Sequence, residues 1–124
     1  MAELIYSTET YEIVGSCMEV HRELGKGHSE ILYKDALQLE LSSRRITFDR
    51  EVEYTVAYKG VVLPHKYFSD FVGLDKIIVE VKAVDRLIDS HVRQVLNYLA
   101  AAKLKLGILV NFGEDSLVWK RVVL

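Results

Sequence analysis

Ser69-Asp70-Phe71-Val72-Gly73-Leu74-Asp75-Lys76-Ile77-Ile78-Val79-Glu80-Val81-Lys82-Ala83 reads as two strand-like runs joined by a turn, with charges where strands seldom hold them. Ile77 to Lys82 is rich in β-branched side chains and apolar on both faces until Glu80 and Lys82, the pattern of a central strand. Gly73 to Lys76 reads as the hairpin connection. Residues two apart on a strand share a face, so Glu80 and Lys82 lie side by side. Pairing Phe68 to Phe71 against Val79 to Lys82 across the turn brings Asp70 near Glu80. Two carboxylates and a lysine converge.

Upstream, Ile13, Cys17, Val20 and Leu24 recur at helical spacing from Thr8 onward, and Gly25 and Gly27 end that helix. Ser29 is the N-cap of a second helix from Glu30 to about Ser43, with Leu32, Ala36 or Leu37, and Leu41 facing its core. Ile46, Phe48, Val52, Tyr54, Val56 and Tyr58 then alternate with polar residues as a half-buried strand does, up to the turn Lys59-Gly60. Pro64 cannot donate to a ladder, so Val61 to Val72 is a strand near an edge or one broken at its start. Downstream, Leu87 to about Lys103 returns to helical spacing. Gly107 to Phe112 is a short apolar strand, parallel to the Ile77 strand through a right-handed crossover, and Leu117 to Leu124 is the last strand. The order α-α-β-β-β-α-β-β predicts an α/β fold with a mixed central sheet and flanking helices, in a single domain over residues 1–124.

Composition bounds the function. The 124 residues are 50% hydrophobic and 27% charged, which suits one globular domain with a buried core. Sixteen Lys plus Arg against 18 Asp plus Glu leave a formal charge of −2, so bulk attraction to nucleic acid is excluded and a polyanion site must be a local patch. The single Cys17 forms no internal disulfide and no zinc-like spacing occurs, which fits a reducing compartment. The start shows no basic region leading into an apolar segment, and no 18 apolar residues run together. A soluble, cytoplasmic protein without a membrane partner is expected.

Two clustered carboxylates repel unless a cation sits between them, and hard oxygen donors suit Mg²⁺ or Mn²⁺. Such an ion polarises a phosphodiester and activates water, while a nearby lysine orients that water or stabilises the developing charge. An isolated E-x-K is more often a plain ion pair on a solvated face; the rest of the chain shifts the balance. Gly27-His28-Ser29-Glu30-Ile31-Leu32-Tyr33, the run from Ser69 to Ala83, His91-Val92-Arg93-Gln94-Val95-Leu96-Asn97-Tyr98-Leu99 and Gly107-Ile108-Leu109-Val110-Asn111-Phe112-Gly113 follow one another in that order. Together they resemble the GxxExxY family of the PD-(D/E)XK nuclease superfamily, from about Tyr11 to Val123. The resemblance implies a core of helix, three-stranded meander, helix and strand, which agrees with the order read from periodicity.

It also implies roles. Asp70 is similar to the metal-binding aspartate and Glu80 to the acidic residue of the (D/E)XK element, serving both metal and catalysis. Lys82 is similar to the catalytic lysine. Glu30 resembles the acidic residue that the first core helix gives to the metal. Gln94 and Tyr98 resemble the QxxxY motif that positions the site or the nucleic-acid backbone, and their i, i+4 spacing puts both on one helix face. Ser69 stands where the superfamily name has proline.

Of the other residues, His91 and Arg93 are candidate nucleic-acid contacts with Tyr98, and His91 is equally a polar residue at a helix N-terminus. His21 reads as a satisfied core histidine, His28 and His65 as exposed turn residues, and Tyr33 as packing. Arg86, Arg93, Lys103, Lys105, Lys120 and Arg121 either line a phosphate-tracking groove or are scattered surface charge. Asn111-Phe112-Gly113 reads as a tight turn. The resulting expectation is a Mg²⁺- or Mn²⁺-dependent nuclease-like protein acting on nucleic acid, DNA ahead of RNA. Its length leaves no recognition module, so specificity would have to come from a homodimer or a protein partner. The alternative is a weakly active or inactive nucleic-acid-binding or protein-interaction module on the same fold.

Overall fold

A computed structural model describes residues 4–124; residues 1–3, where the reading of the chain's start begins, lie outside the described part. Helix α1, Ser7–Leu24, buries Ile13, Cys17 and Val20 and ends at Gly25, whose φ of 68° is one that glycine adopts without steric cost. Helix α2, Glu30–Ser43, begins where Ser29 Oγ accepts from the Leu32 N–H at 3.4 Å. Its buried stripe is Tyr33, Leu37 and Leu41, whereas Leu32, expected in the core, is 38% exposed. The exposure of Leu32 has a packing cause. Tyr33 stacks on Phe112 at 4.7 Å between ring centroids, and this sets the rotation of α2.

The strands are β1, Phe48–Tyr54; β2, Ala57–Tyr58; β3, Val61–Val62; β4, Tyr67–Gly73; β5, Ile77–Lys82; β6, Leu106–Asn111; and β7, Val118–Val123, with helix α3, Asp89–Ala102, between β5 and β6. The main sheet runs β1-β4-β5-β6-β7. Among the described residues only β5 and β6 are parallel, joined through α3. The strand expected from Ile46 to Tyr58 is therefore two: β1 ends at Tyr54, and β2 pairs only with β3. That small hairpin turns through Lys59 and Gly60, at φ 49° and 80°, a pair of left-handed residues matched to strand twist. Beyond it the chain breaks at Pro64, as a residue without an N–H demands, and resumes at Tyr67 as the strand next to the β1 edge.

Both faces of the sheet are covered, which explains why β5 is apolar on both sides. Ile13, Cys17, Tyr33 and Leu37 pack with Phe71, Val79, Val81, Ile108 and Phe112 on the α1/α2 face. Val95 and Leu99 of α3 pack with Val72, Ile78, Leu109 and Val122 on the other. The approach of α3 is close: a Cβ on Gly107 would stand 2.4 Å from Val95 Cγ1. Burial pushes the Cys17 thiol up to about 12. Among the described residues no helix is long and apolar enough to cross a membrane.

Candidate active site

The β4–β5 ladder holds three residue pairs, Gly73↔Ile77, Val72↔Ile78 and Phe71↔Val79, and then opens. Beyond this point the Asp70 backbone N–H donates to Glu80 Oε1 at 2.8 Å, and the Val81 N–H donates to Asp70 Oδ2 at 2.8 Å. Side chains have replaced the ladder. Of the pairing expected between Phe68–Phe71 and Val79–Lys82, only Phe71↔Val79 forms, yet Asp70 and Glu80 still meet, because each carboxylate takes a backbone donor that the parted strands release. Strand β4 stays paired with β1 as far as Tyr67↔Tyr54, and β5 with β6 as far as Lys82↔Asn111. The sheet is split between its second and third strands.

A second irregularity lies at the same level. Phe48 packs on the α1/α2 face, whereas Val52 and Tyr54 pack toward α3, although even-numbered residues of a regular strand share one face. Glu51, between the two sets, has φ 55°, a left-handed conformation that costs a non-glycine residue roughly 1–2 kcal/mol. Strand β4 switches in step at Asp70. Phe71 faces α1/α2, while Ser69 bonds Tyr54 at 3.0 Å and Tyr67 packs on Tyr98 of α3.

Asp70 and Glu80 are 8% and 3% exposed. Burial and then the Asp70 charge hold the Glu80 carboxyl well above the usual carboxylate range, against the Asp70 N–H bond and Lys82. Lys82 shares the face of Glu80, but its Nζ donates to Gln94 Oε1 of α3 at 2.8 Å. Tyr98, one turn on, is pushed up to about 12 by burial and then by Glu80 and Asp70. Glu30, in the first turn of α2, stays largely open to solvent; the partial desolvation of its carboxyl, and then Asp70, raise its pKa, with Lys82 and Lys34 opposing.

Lys34 and Glu51 were not singled out by their sequence context. Lys34 Nζ donates to Asp70 Oδ1 at 3.0 Å and to Glu51 Oε1 at 2.8 Å, in a residue 8% exposed. Burial works against its charge, but the bonds to Glu51 and Asp70 outweigh this and hold its pKa above the ordinary lysine value. The available signal was position: Lys34, Leu37 and Leu41 fall at spacings of three and four on the buried stripe of α2. With Lys34 beside Asp70, the expected trio is not a closed cage. Among the described residues no three of His, Cys, Asp and Glu are gathered in ion-binding geometry. The adjacent hard-oxygen pair Asp70 and Glu80 does fit a divalent cation, which would relieve the repulsion evident at Glu80.

A groove of about 950 Å³ runs beside the split, between α3 and the Pro64–Phe68 segment, and Arg93, Gln94, Asn97, Tyr98, Lys66 and Phe68 line it. Of Arg86, Arg93, Lys103, Lys105, Lys120 and Arg121, Arg93 lines this groove and the other five do not. Arg121 is committed elsewhere, to Thr10 Oγ1 and the Ile5 carbonyl. His91 Nδ1 accepts from the Ile88 N–H at 3.1 Å and so caps α3; burial and then Lys82 lower its pKa. His21 is satisfied by the Glu114 carbonyl at 2.9 Å, and the Tyr33 hydroxyl donates to the Gly25 carbonyl at 2.5 Å. Asn111 is more than a turn residue. Its Oδ1 accepts from Val84 and Gly113, and its Nδ2 donates to the Val84 carbonyl and Glu114, fastening the loop that follows Lys82.

The fold recurs in solved structures. The crystal structure of SSO0001 matches with a TM-score of 0.61 at 22% identity, covering 95% of this chain, which spans 59% of that one. The alkaline exonuclease LHK-Exo from Laribacter hongkongensis matches with a TM-score of 0.51 at 11% identity, over 99% of this chain and 72% of its own. At these identities the likeness is one of fold. No curated protein matches the sequence. The family model of the PD-(D/E)XK nuclease superfamily, whose members are generally divalent-metal dependent, matches residues 7–122. A split mixed sheet with an acidic pair at the split and a lysine two residues on is thus carried by a chain that belongs to the PD-(D/E)XK nuclease superfamily.

Proposed function

We propose that this protein is a Mg²⁺- or Mn²⁺-dependent nuclease of the GxxExxY family that hydrolyses phosphodiester bonds in DNA. The observation that carries this reading is the split itself: Asp70 and Glu80 face each other where the ladder opens, and Lys82 is held at 2.8 Å by Gln94, a residue that lines the adjacent groove. Asp70 and Glu80 are the groups that would hold the ion, with Glu30 of α2, which feels the Asp70 charge, as a further ligand through water. When bound, the ion supplies Lewis acidity toward the phosphate and lowers the pKa of water. Lys82 orients the attacking water and steadies the charge that develops, and Gln94 fixes the lysine's direction. Arg93 and Tyr98 contact the nucleic acid from the groove, and His91, through the ring nitrogen that does not cap α3, lies on the same helix end. The protein acts in the cytoplasm, and a homodimer or protein partner supplies sequence specificity.

The test is cleavage of single-stranded, double-stranded and flapped DNA, with RNA alongside, in Mg²⁺ or Mn²⁺ at low salt. Wild type is expected to cut DNA and Lys82→Ala to lose cutting by about 10²-fold or more. A folded, metal-binding wild type that cuts none of these overturns the reading. One observation favours the second reading, a binding module on the same fold: Asp70 already has a cationic partner in Lys34. That module would bind DNA equally in wild type and Lys82→Ala without cutting it.

A further inference from the structure

Lys34 has no part in the function proposed above, yet among the described residues it is the charged group that donates to Asp70, and it does so from a buried position. Its ammonium bridges Asp70 and Glu51, and the backbone of Glu51 is held in a left-handed conformation in mid-strand. Backbone strain of this kind persists where the surroundings fix it. Glu30, Glu51, Asp70 and Glu80 form one electrostatic neighbourhood with Lys34 and Lys82. Asp70 Oδ2 accepts from the Val81 N–H and Oδ1 from Lys34, so the ammonium stands where a second ion sharing Asp70 would have to sit. Without Lys34 the neighbourhood would be more acidic by one charge, and Asp70 Oδ1 would lose its donor.

We propose that Lys34 is a resident cation of this site, a positioning residue whose ammonium shares Asp70 with the metal and limits the site to a single divalent ion. Glu51 retains the ammonium, which keeps this positive charge at the site when Asp70 engages the ion. The inference rests on the metal-binding reading above and adds a stoichiometry and a competitor to it. The step is one of binding alone: no bond to Lys34 is made or broken.

Calorimetric titration of metal-free protein with Mn²⁺ tests it without recourse to activity. Wild type is expected to bind one ion, and Lys34→Met to bind that ion on the order of tenfold more tightly, since a unit positive charge bonded to a ligand carboxylate has been removed. Two ions on wild type, or unchanged affinity in Lys34→Met, overturns the inference while leaving the metal reading intact. No Mn²⁺ binding to any folded form overturns both. If Lys34→Met does not fold, the double variant Lys34→Met/Glu51→Gln removes the carboxylate left without its ammonium; it is expected to bind Mn²⁺ more tightly than wild type, and equal affinity overturns the inference.

Discussion

At the scale of single residues, the groups of the candidate site work against the stability of the fold that carries them. Glu80 is buried beside Asp70, so Glu80→Gln removes a repelling charge and keeps an oxygen for the Asp70 N–H. The melting temperature of this variant without metal is expected to equal or exceed that of wild type, while the rise on adding Mn²⁺ disappears. Thermal scans with and without the ion check this, and a metal-dependent rise that survives in Glu80→Gln removes the residue from the ligand set. Cys17 gives a cleaner pH effect. In the folded protein it keeps its proton up to about 12, whereas unfolded cysteine loses it near about 8.5. Between those values the unfolded state binds fewer protons, so stability falls as pH rises, by at most about 1.4 kcal/mol per unit. Denaturant titrations from neutral to alkaline pH should show a shallower decline in Cys17→Ala. Asp70, Glu80 and Lys82 were legible because charge in an apolar strand needs a cause. Lys34 was not, because a helical lysine is exposed by default and only a fold reveals which stripe it joins.

Elements impose the next level of constraint. Asn111 is fully buried at the end of β6 and spends both ends of its amide on Val84, Gly113 and Glu114. Asn111→Ala would leave buried backbone groups unpaired and is expected to destabilise the protein by roughly 2–3 kcal/mol. It would also loosen the loop after Lys82, so proteolysis near Val84 should accelerate in native buffer. Gly107→Ala forces a methyl into Val95 and is expected to cost about 1–3 kcal/mol, read from the denaturant midpoint. The elements themselves were largely legible, since periodicity follows burial. What periodicity could not reveal was the half-turn at Glu51 and Asp70. Phe48, Val52 and Tyr54 keep their even spacing across it, so the sequence reads as one regular face while the chain presents two.

For the whole molecule, the formal charge of −2 means that affinity for nucleic acid must come from a few contacts. Arg93 and Lys66 are the cations that line the groove, and Lys66 is shared with Glu53 at 3.2 Å. Affinity for single-stranded DNA is therefore expected to fall only gently with salt, and Arg93→Ala should flatten the slope of log K against log salt by about 0.7. Fluorescence anisotropy across a salt series reads that slope directly. The order of helices and strands was legible, but the split sheet was not, because nothing local distinguishes a ladder that continues past Phe71 from one that stops there.

That split also bears on how such a chain would change once its chemistry was lost. The slot stands open because Asp70 and Glu80 occupy hydrogen-bonding positions that the facing backbones would otherwise fill. Apolar replacements at both positions would let β4 and β5 zip together, trading an inert slot for extra ladder bonds. Asp70→Val/Glu80→Val is expected to melt higher than wild type and to protect the amides of residues 69–70 and 80–81 more strongly against deuterium. Inactivation by this route works as a ratchet, since each later step back must first prise apart a sheet that has already sealed.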